Sequence, residues 1–67
     1  MNTAEDIGWE IRKRRERAGL SQSDLAAKCN MRQATVSKIE CGGEIYISTL
    51  IDVLEALDLQ IAFKPRA

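Results

Sequence analysis

The sequence predicts a small all-α domain, a bundle of four or five short helices followed by one short C-terminal strand. Apolar residues recur at helical three- and four-residue spacing through most of the 67-residue chain. Residues that favour helix ends interrupt this pattern, and the period changes to two only near the C-terminus. A chain of this length has a small core, which makes oligomerisation plausible.

The first helix is predicted from its two ends. Thr3 is a good N-cap, and two acidic residues follow it in the first turn, near the positive end of the helix dipole. Gly19 ends the helix, because glycine readily adopts the left-handed backbone conformation. The residues expected on the inner side of the helix are Ile7, Ile11 and Ala18.

Two short helices joined by a tight turn follow. Ser21 is expected to cap the first of them, with Asp24 bonding back to the free backbone N–H groups. Asn30 tolerates the left-handed conformation and ends this helix, and Gly42 is placed to end the next one. Such short helices are unstable alone and must pack at a steep, close crossing, which the small side chain of Ala26 permits.

A fourth helix is expected after Ser48, its predicted cap, with an apolar face that closes the core. That face consists of Leu50, Val53, Leu54 and Leu57. The predicted helices span about residues 3–18, 22–29, 33–41 and 49–57. Together they form a domain of residues 1–58.

The segment 59–64 alternates with the period of a strand, and residues 65–67 form a tail that begins with proline. A lone strand leaves its backbone groups unpaired, so its natural partner is the same strand of a second copy. The side chains expected in this homodimer interface are Leu59, Ile61 and Phe63. A terminal helix is the alternative for this segment.

The charge pattern favours a polyanionic partner, although the formal net charge is +0. Residues 11–40 carry eight Lys or Arg and three acidic residues, a local net charge of +5. Acidic flanks restore neutrality. Such a band orients a domain on a phosphate backbone while limiting non-specific affinity.

The residue inventory argues against several other classes. The chain has no histidine, no metal-ligand cluster and no phosphate-binding glycine loop, so we expect neither an enzyme nor a cofactor or metal. No apolar run is long enough to span a bilayer, and no signal peptide precedes the domain, so we expect a cytoplasmic protein. Cys29 and Cys41 are expected to be reduced, and a redox role for Cys41 remains open.

The order of capped helix, turn and second helix is a helix-turn-helix, and its residues resemble those of the phage-repressor or XRE family. That family's twenty-residue pattern has a small residue at position five, Gly at nine and apolar residues at fifteen and eighteen. The corresponding residues here are Ala26, Asn30, Val36 and Ile39. Gly-Leu-Ser-Gln at 19–22 and Ser-Lys-Ile-Glu at 37–40 also match. The resemblance implies a lambda-repressor-like bundle.

The resemblance also implies a sequence-specific repressor whose third helix lies in the major groove of a palindromic double-stranded DNA operator. The residues expected to contact bases are Arg32, Gln33, Ala34, Thr35, Ser37 and Lys38. The residues expected to contact phosphates are Gln22, Ser21, Arg14 and Tyr46. A largely buried ion pair between Arg15 and Glu40 is implied as well. Glu44 departs from the family, whose corresponding loop is often basic.

A helical domain followed by a short strand resembles HipB-type antitoxins, which share a pattern close to that of residues 32–35. This narrower resemblance implies an antitoxin that represses its own operon, with a cognate toxin as a further partner. The alternative function is a protein-interaction module that keeps the helix-turn-helix shape without specific DNA binding. The low net charge and the acidic loop favour that alternative.

Overall fold

The computed structural model describes residues 3–66 and places four helices in them. They are α1 (Ala4–Arg17), α2 (Gln22–Lys28), α3 (Gln33–Glu40) and α4 (Ile47–Ala56). The predicted all-α fold class is confirmed. Helix α2 packs against α3, α3 against α1, and α4 against α2.

Every helix contributes to one small core. Its buried apolar residues are Ile11, Leu25, Ala26, Val36, Ile39 and Val53. Helix α1 meets this core along a narrow stripe formed by Gly8, Ile11 and Arg15. Ile7 is 36% exposed but lines a small cavity with Ile39 and Leu50, so it lies at the edge of the core. Ala18 is exposed, so the prediction that it faces inward is wrong.

Two of the four helices, α1 and α2, begin with a side-chain cap, and the other two do not. Thr3 caps α1 as predicted, its hydroxyl accepting a hydrogen bond from the N–H of Asp6 at 3.1 Å. Helix α4 instead begins at Ile47, with Tyr46 as an N-cap that makes no side-chain bond, so the predicted cap at Ser48 is wrong. The helix starts two residues early because Ile45, just before it, packs against the core and fixes the entry of the chain.

All four helices end in the same way, in a Schellman motif. The residue after each C-cap has a positive φ: Gly19 (73°), Asn30 (55°), Gly42 (80°) and Asp58 (58°). The N–H of the residue that follows donates a hydrogen bond to the carbonyl oxygen five residues earlier. These bonds run from Leu20 to Arg15, from Met31 to Ala26, from Gly43 to Lys38 and from Leu59 to Leu54. Asp58 is the member of this set that the sequence did not predict.

Residues 57–66, the described part of the segment beyond α4, have no regular secondary structure within the single chain. The alternative of a terminal helix is therefore wrong for the described part of this segment. Residues 3–66 contain no strand, because a ladder needs a second strand and none is present to pair with residues 59–64. The pairing of this segment across a dimer stays a prediction.

Replacement of Asp58 by glycine should raise the free energy of unfolding by up to about 1 kcal/mol. A positive φ is strained for any residue with a Cβ, and glycine relieves that strain, although its freer unfolded chain offsets part of the gain. Urea denaturation of Asp58→Gly and Asp58→Ala separates the causes. The alanine variant loses the carboxylate at the negative end of α4 but keeps the strain. If both variants gain equally, the charge and not the backbone is responsible.

Candidate nucleic-acid interface

A capping box fixes the start of α2. The Ser21 hydroxyl accepts from the N–H of Asp24 at 3.0 Å, and the Asp24 carboxylate accepts from the N–H of Ser21 at 2.9 Å. The hydrogen bond from the Ser21 backbone is the main reason that the pKa of Asp24 lies below its usual value. The predicted cap is confirmed, and it sets Gln22 at the first position of α2.

The turn between α2 and α3 brings the two helices close together. Ala26 is 3% exposed and lies at their contact, while Asn30 adopts the left-handed conformation that ends α2. Met31 packs against the core just before α3 begins. The turn thereby fixes the position of the α3 N-terminus relative to α2.

The six predicted base contacts all lie on α3 or at its N-cap. Arg32, Gln33, Ala34 and Lys38 are exposed, whereas Thr35 and Ser37 are half-buried. Val36 and Ile39 point into the core between them. The first turn of α3 carries no acidic residue and no side-chain cap, so the positive end of the helix dipole is unopposed there.

Hydrogen bonds hold the Gln33 side chain at the start of α3. Its Nε2 donates to Oε1 of Gln22 at 2.6 Å, and Gln22 Nε2 donates to Oε1 of Glu40 at 3.0 Å. A glutamine amide has two N–H donors and one acceptor oxygen. Gln33 therefore retains one donor and its oxygen, the pair needed to bind adenine through its N7 and N6 atoms.

Arg15 and Glu40 form an ion pair that joins α1 to the C-terminal end of α3. Arg15 Nε donates to Oε2 of Glu40 at 2.6 Å, and Nη2 donates to Oε1 at 3.0 Å. The remaining Nη1 donates to the carbonyl of Leu20 at 2.8 Å. The two side chains are only 9% and 4% exposed. One guanidinium thus ties α1, the α1–α2 loop and α3 together.

The hydrogen bonds of this pair control the ionisation of Glu40. Burial alone would raise the pKa of Glu40, but the hydrogen bonds from Arg15 and Gln22 outweigh it and hold the pKa below its usual value. The Arg15 pKa is raised in turn by its hydrogen bond to Glu40. Stability from the carboxylate is therefore fully present above the ordinary glutamate pKa and is lost as the pH falls through the lowered value.

The four predicted phosphate contacts lie in three different places. Ser21 and Gln22 lie at the N-terminus of α2, and Gln22 reaches the start of α3 through its bond to Gln33. Tyr46 is 83% exposed at the start of α4. Arg14 lies on α1, where its Nε pairs with Oε1 of Glu10 at 3.3 Å, and the two Nη groups of its guanidinium provide further donors for a phosphate.

An open groove of about 570 Å³ lies beside α3. The side chains that line it are Thr35, Lys38, Glu44, Ile45, Tyr46 and Thr49. Two of the predicted base contacts and one predicted phosphate contact therefore share a surface with the acidic residue of the α3–α4 loop. The sequence showed that Glu44 is acidic, but only the fold brings it next to α3.

Comparison with known proteins places this arrangement in a family. A family model described as helix-turn-helix matches residues 11–64. The chain belongs to this family. The XRE-type resemblance is thereby confirmed. No helix in residues 3–66 of this helix-turn-helix chain is long and apolar enough to cross a membrane.

A similar protein is an HTH-type transcriptional regulator of Sinorhizobium fredii (strain NBRC 101917 / NGR234), named y4dL and described as uncharacterized. It is 38% identical over 63 residues, which cover 92% of the helix-turn-helix chain and 32% of the relative. The chain thus spans about a third of the length of this curated relative.

Two solved structures share the fold. The first, a HipA–HipB–O2–O3 complex, has a TM-score of 0.91 at 24% identity over 100% of this helix-turn-helix chain and 96% of its own. The second is the restriction-modification controller protein C.AhdI from Aeromonas hydrophila, with a TM-score of 0.78 at 26% identity. It covers 85% of this chain and 84% of its own.

Arg15→Ala should lower the free energy of unfolding by about 3–5 kcal/mol, because Glu40 is left buried without its partner. The total for a domain of this size is only about 3–10 kcal/mol, so we expect a large fall in melting temperature by circular dichroism. Arg12→Ala is the matched control. It breaks the Arg12–Glu16 pair, whose side chains are both 52% exposed, and should change stability by less than about 1 kcal/mol. Similar melting temperatures for the two variants would contradict the role of the buried pair.

Proposed function

We propose that this chain is a sequence-specific, DNA-binding transcriptional regulator that acts as a repressor. The observation that carries the proposal is the Gln22–Gln33 bond, which holds an exposed amide at the open N-terminus of α3 with one donor and one acceptor unused. Such a preset pair of groups matches a base edge in the major groove of double-stranded DNA. Membership of the helix-turn-helix family supports the same function. A non-enzymatic role is part of the proposal.

Each α3 side chain has a role that follows from its chemistry. Gln33 binds an adenine bidentately, and Ala34 and the methyl group of Thr35 lie against thymine methyl groups. Arg32 and Lys38 reach guanine or phosphate, and Ser37 bonds to either kind of base. These assignments predict a preference for sites that combine A·T and G·C pairs.

The phosphate contacts position the domain without reading sequence. Gln22 and Ser21 approach one strand at the N-terminus of α2, Tyr46 approaches the backbone beside α3, and Arg14 approaches it from α1. Glu44, in the groove beside α3, repels phosphates and weakens binding at that edge. The positive band across residues 11–40 supplies long-range attraction to DNA.

A homodimer is part of the proposed function. One module reads too few base pairs to select a single genomic site, so two copies bind half-sites roughly 34 Å apart on a palindrome. Phe63 is 95% exposed and Ile61 is 48% exposed, which supports their burial against a second copy. We further propose that residues 59–64 of the two copies pair as strands, with Leu59 in the same interface, and that the regulator acts in the cytoplasm.

An antitoxin that represses its own operon is a narrower candidate. The similarity of fold to HipB in the HipA–HipB–O2–O3 complex favours it. Affinity purification of the tagged chain, expressed with the genes adjacent to its own, tests this candidate. A stable complex with one neighbouring gene product supports it, and recovery of the homodimer alone overturns it.

Binding-site selection from random double-stranded DNA tests the main proposal. A regulator should enrich one palindromic sequence whose half-sites are one helical turn apart. Affinity for that sequence should fall steeply between 50 and 200 mM salt, because several phosphates release counterions. Enrichment of no sequence, together with salt-insensitive binding, would instead favour the protein-interaction module.

Gln33→Ala should reduce affinity for the selected site about 5- to 150-fold while hardly changing affinity for random DNA. The reason is that a bidentate base contact contributes about 1–3 kcal/mol of discrimination. Fluorescence anisotropy titrations on both DNAs measure this ratio. Gln22→Ala should weaken both DNAs through its lost phosphate contact, and the selected site more than random DNA, because Gln33 then loses the hydrogen bond that holds it. Equal loss on both DNAs for Gln33→Ala would contradict base reading by this residue.

Phe63→Asp should convert the homodimer into a monomer that folds normally, because the side chain is almost fully exposed in the single chain. Sedimentation velocity measures the association. Gln60→Asp is the control, since it adds the same charge on the opposite side of the predicted strand and should leave the dimer intact. A dimer equally tight in both variants would place the subunit contact elsewhere, on helix α4.

A further inference from the structure

Gly8 occupies an unusual place in the middle of α1. It is buried, although glycine is less favourable than alanine in a helix interior. Its position on the stripe that also contains Ile11 and Arg15 places it against the rest of the domain. An interior, buried glycine of this kind indicates a close approach of another backbone.

The backbone that approaches Gly8 is the C-terminal end of α3. A Cβ added at Gly8 would lie 2.6 Å from the carbonyl oxygen of Glu40, 2.8 Å from its carbonyl carbon, and closer still to the carbonyl oxygen of Ile39. Main-chain atoms cannot rotate away as a flexible side chain does. A side chain of any size at position 8 must therefore lift this end of α3 from α1.

Two further contacts hold the same end of α3 against α1. Gly42, directly after the α3 C-cap, has φ +80°, and a Cβ there would lie 2.9 Å from the backbone nitrogen of Glu5. Arg15, about two turns further along α1 than Gly8, donates a hydrogen bond to the Glu40 carboxylate. Contacts at Glu5, Gly8 and Arg15 thus hold the C-terminal end of α3 against one side of α1.

These contacts also affect the N-terminal end of α3, where Gln33 lies, because the helix is short. Eight residues span about 12 Å, so the helix moves as one rigid element. Restoring normal contact at Gly8 needs a displacement on the order of 1 Å, since non-bonded carbon atoms rest near 3.5 Å. Binding groups must be held to within about 0.5 Å. A displacement of this size is enough to misplace Gln33.

We propose that Gly8 is a positioning residue for DNA reading: the absence of a side chain there sets the height of α3 over α1 and hence the placement of Gln33. The inference rests on the proposed function. Gly8 itself touches neither a base nor a phosphate, and it acts through the backbone of residues 39–40. Its replacement should therefore reduce discrimination between DNA sequences and not only stability.

The test compares Gly8→Ala with Gly19→Ala. Gly19 has φ +73° and open space around an added Cβ, so its replacement strains the backbone without contacting α3. Affinities for the selected site and for random DNA are measured at a temperature where circular dichroism shows both variants folded. Gly8→Ala should lower the ratio of the two affinities at least tenfold, and Gly19→Ala should leave it within twofold. An unchanged ratio for Gly8→Ala overturns the inference.

A second measurement is independent of DNA. In amide NMR spectra, Gly8→Ala should shift resonances along the whole of α3 and the Arg15 Nε–H, while Gly19→Ala shifts resonances near the α1–α2 loop. If Gly8→Ala needs an osmolyte such as trimethylamine N-oxide to fold, both measurements are made in it. A variant that stays unfolded there makes Gly8 a folding residue alone and overturns the inference. A wild-type chain that selects no site overturns the proposed function itself.

Discussion

The ion pair between Arg15 and Glu40 is the interaction on which the rest of the structure depends. Within residues 3–66, six buried apolar residues form a small core, so apolar packing alone leaves the domain only marginally stable. A buried ion pair adds little net stability, because desolvation offsets its attraction, but it strongly penalises every arrangement that leaves a charge without a partner. The bidentate geometry therefore selects one position of α3 on α1.

The same carboxylate also orients Gln22 and, through it, Gln33, the side chain proposed to read a base. Oε1 of Glu40 accepts from Arg15 and from Gln22, and Gln22 in turn accepts from Gln33. Three hydrogen bonds thus connect the buried Arg15 to Gln33 at the exposed start of α3 and fix the orientation of the Gln33 side chain. Because Gln33 is held in place without DNA, the proposed base contact costs less conformational entropy. Folding and the proposed base reading therefore depend on one hydrogen-bond network.

Local features were predictable from the residues themselves, whereas features that depend on the fold were not, apart from the Arg15–Glu40 pair, which the family resemblance implied. The caps at Thr3 and Ser21 and the left-handed residues Gly19, Asn30 and Gly42 need only neighbours in the chain, and the structure has them. The start of α4 depends on the packing of Ile45 against the core, and no capping residue in the sequence marks it. The bonds of Gln22 to Glu40 and Gln33 join residues 18 and 11 positions apart, and only packing reveals them. An isolated glycine inside a helical pattern was the available signal for Gly8.

The charge distribution fits a protein whose specificity comes from fixed contacts more than from bulk attraction. A strongly basic domain gains affinity for every DNA sequence equally, and this raises competition from the large excess of non-specific sites. Here the positive band is balanced by acidic flanks, and Glu44 lies beside Lys38 and Tyr46 in the groove next to α3. In the proposed function, each such carboxylate weakens binding to all DNA sequences alike. In the proposed function, one DNA site is distinguished from others by the base contact of Gln33, a side chain already held in place. The proposed function therefore depends on the position of α3 on α1.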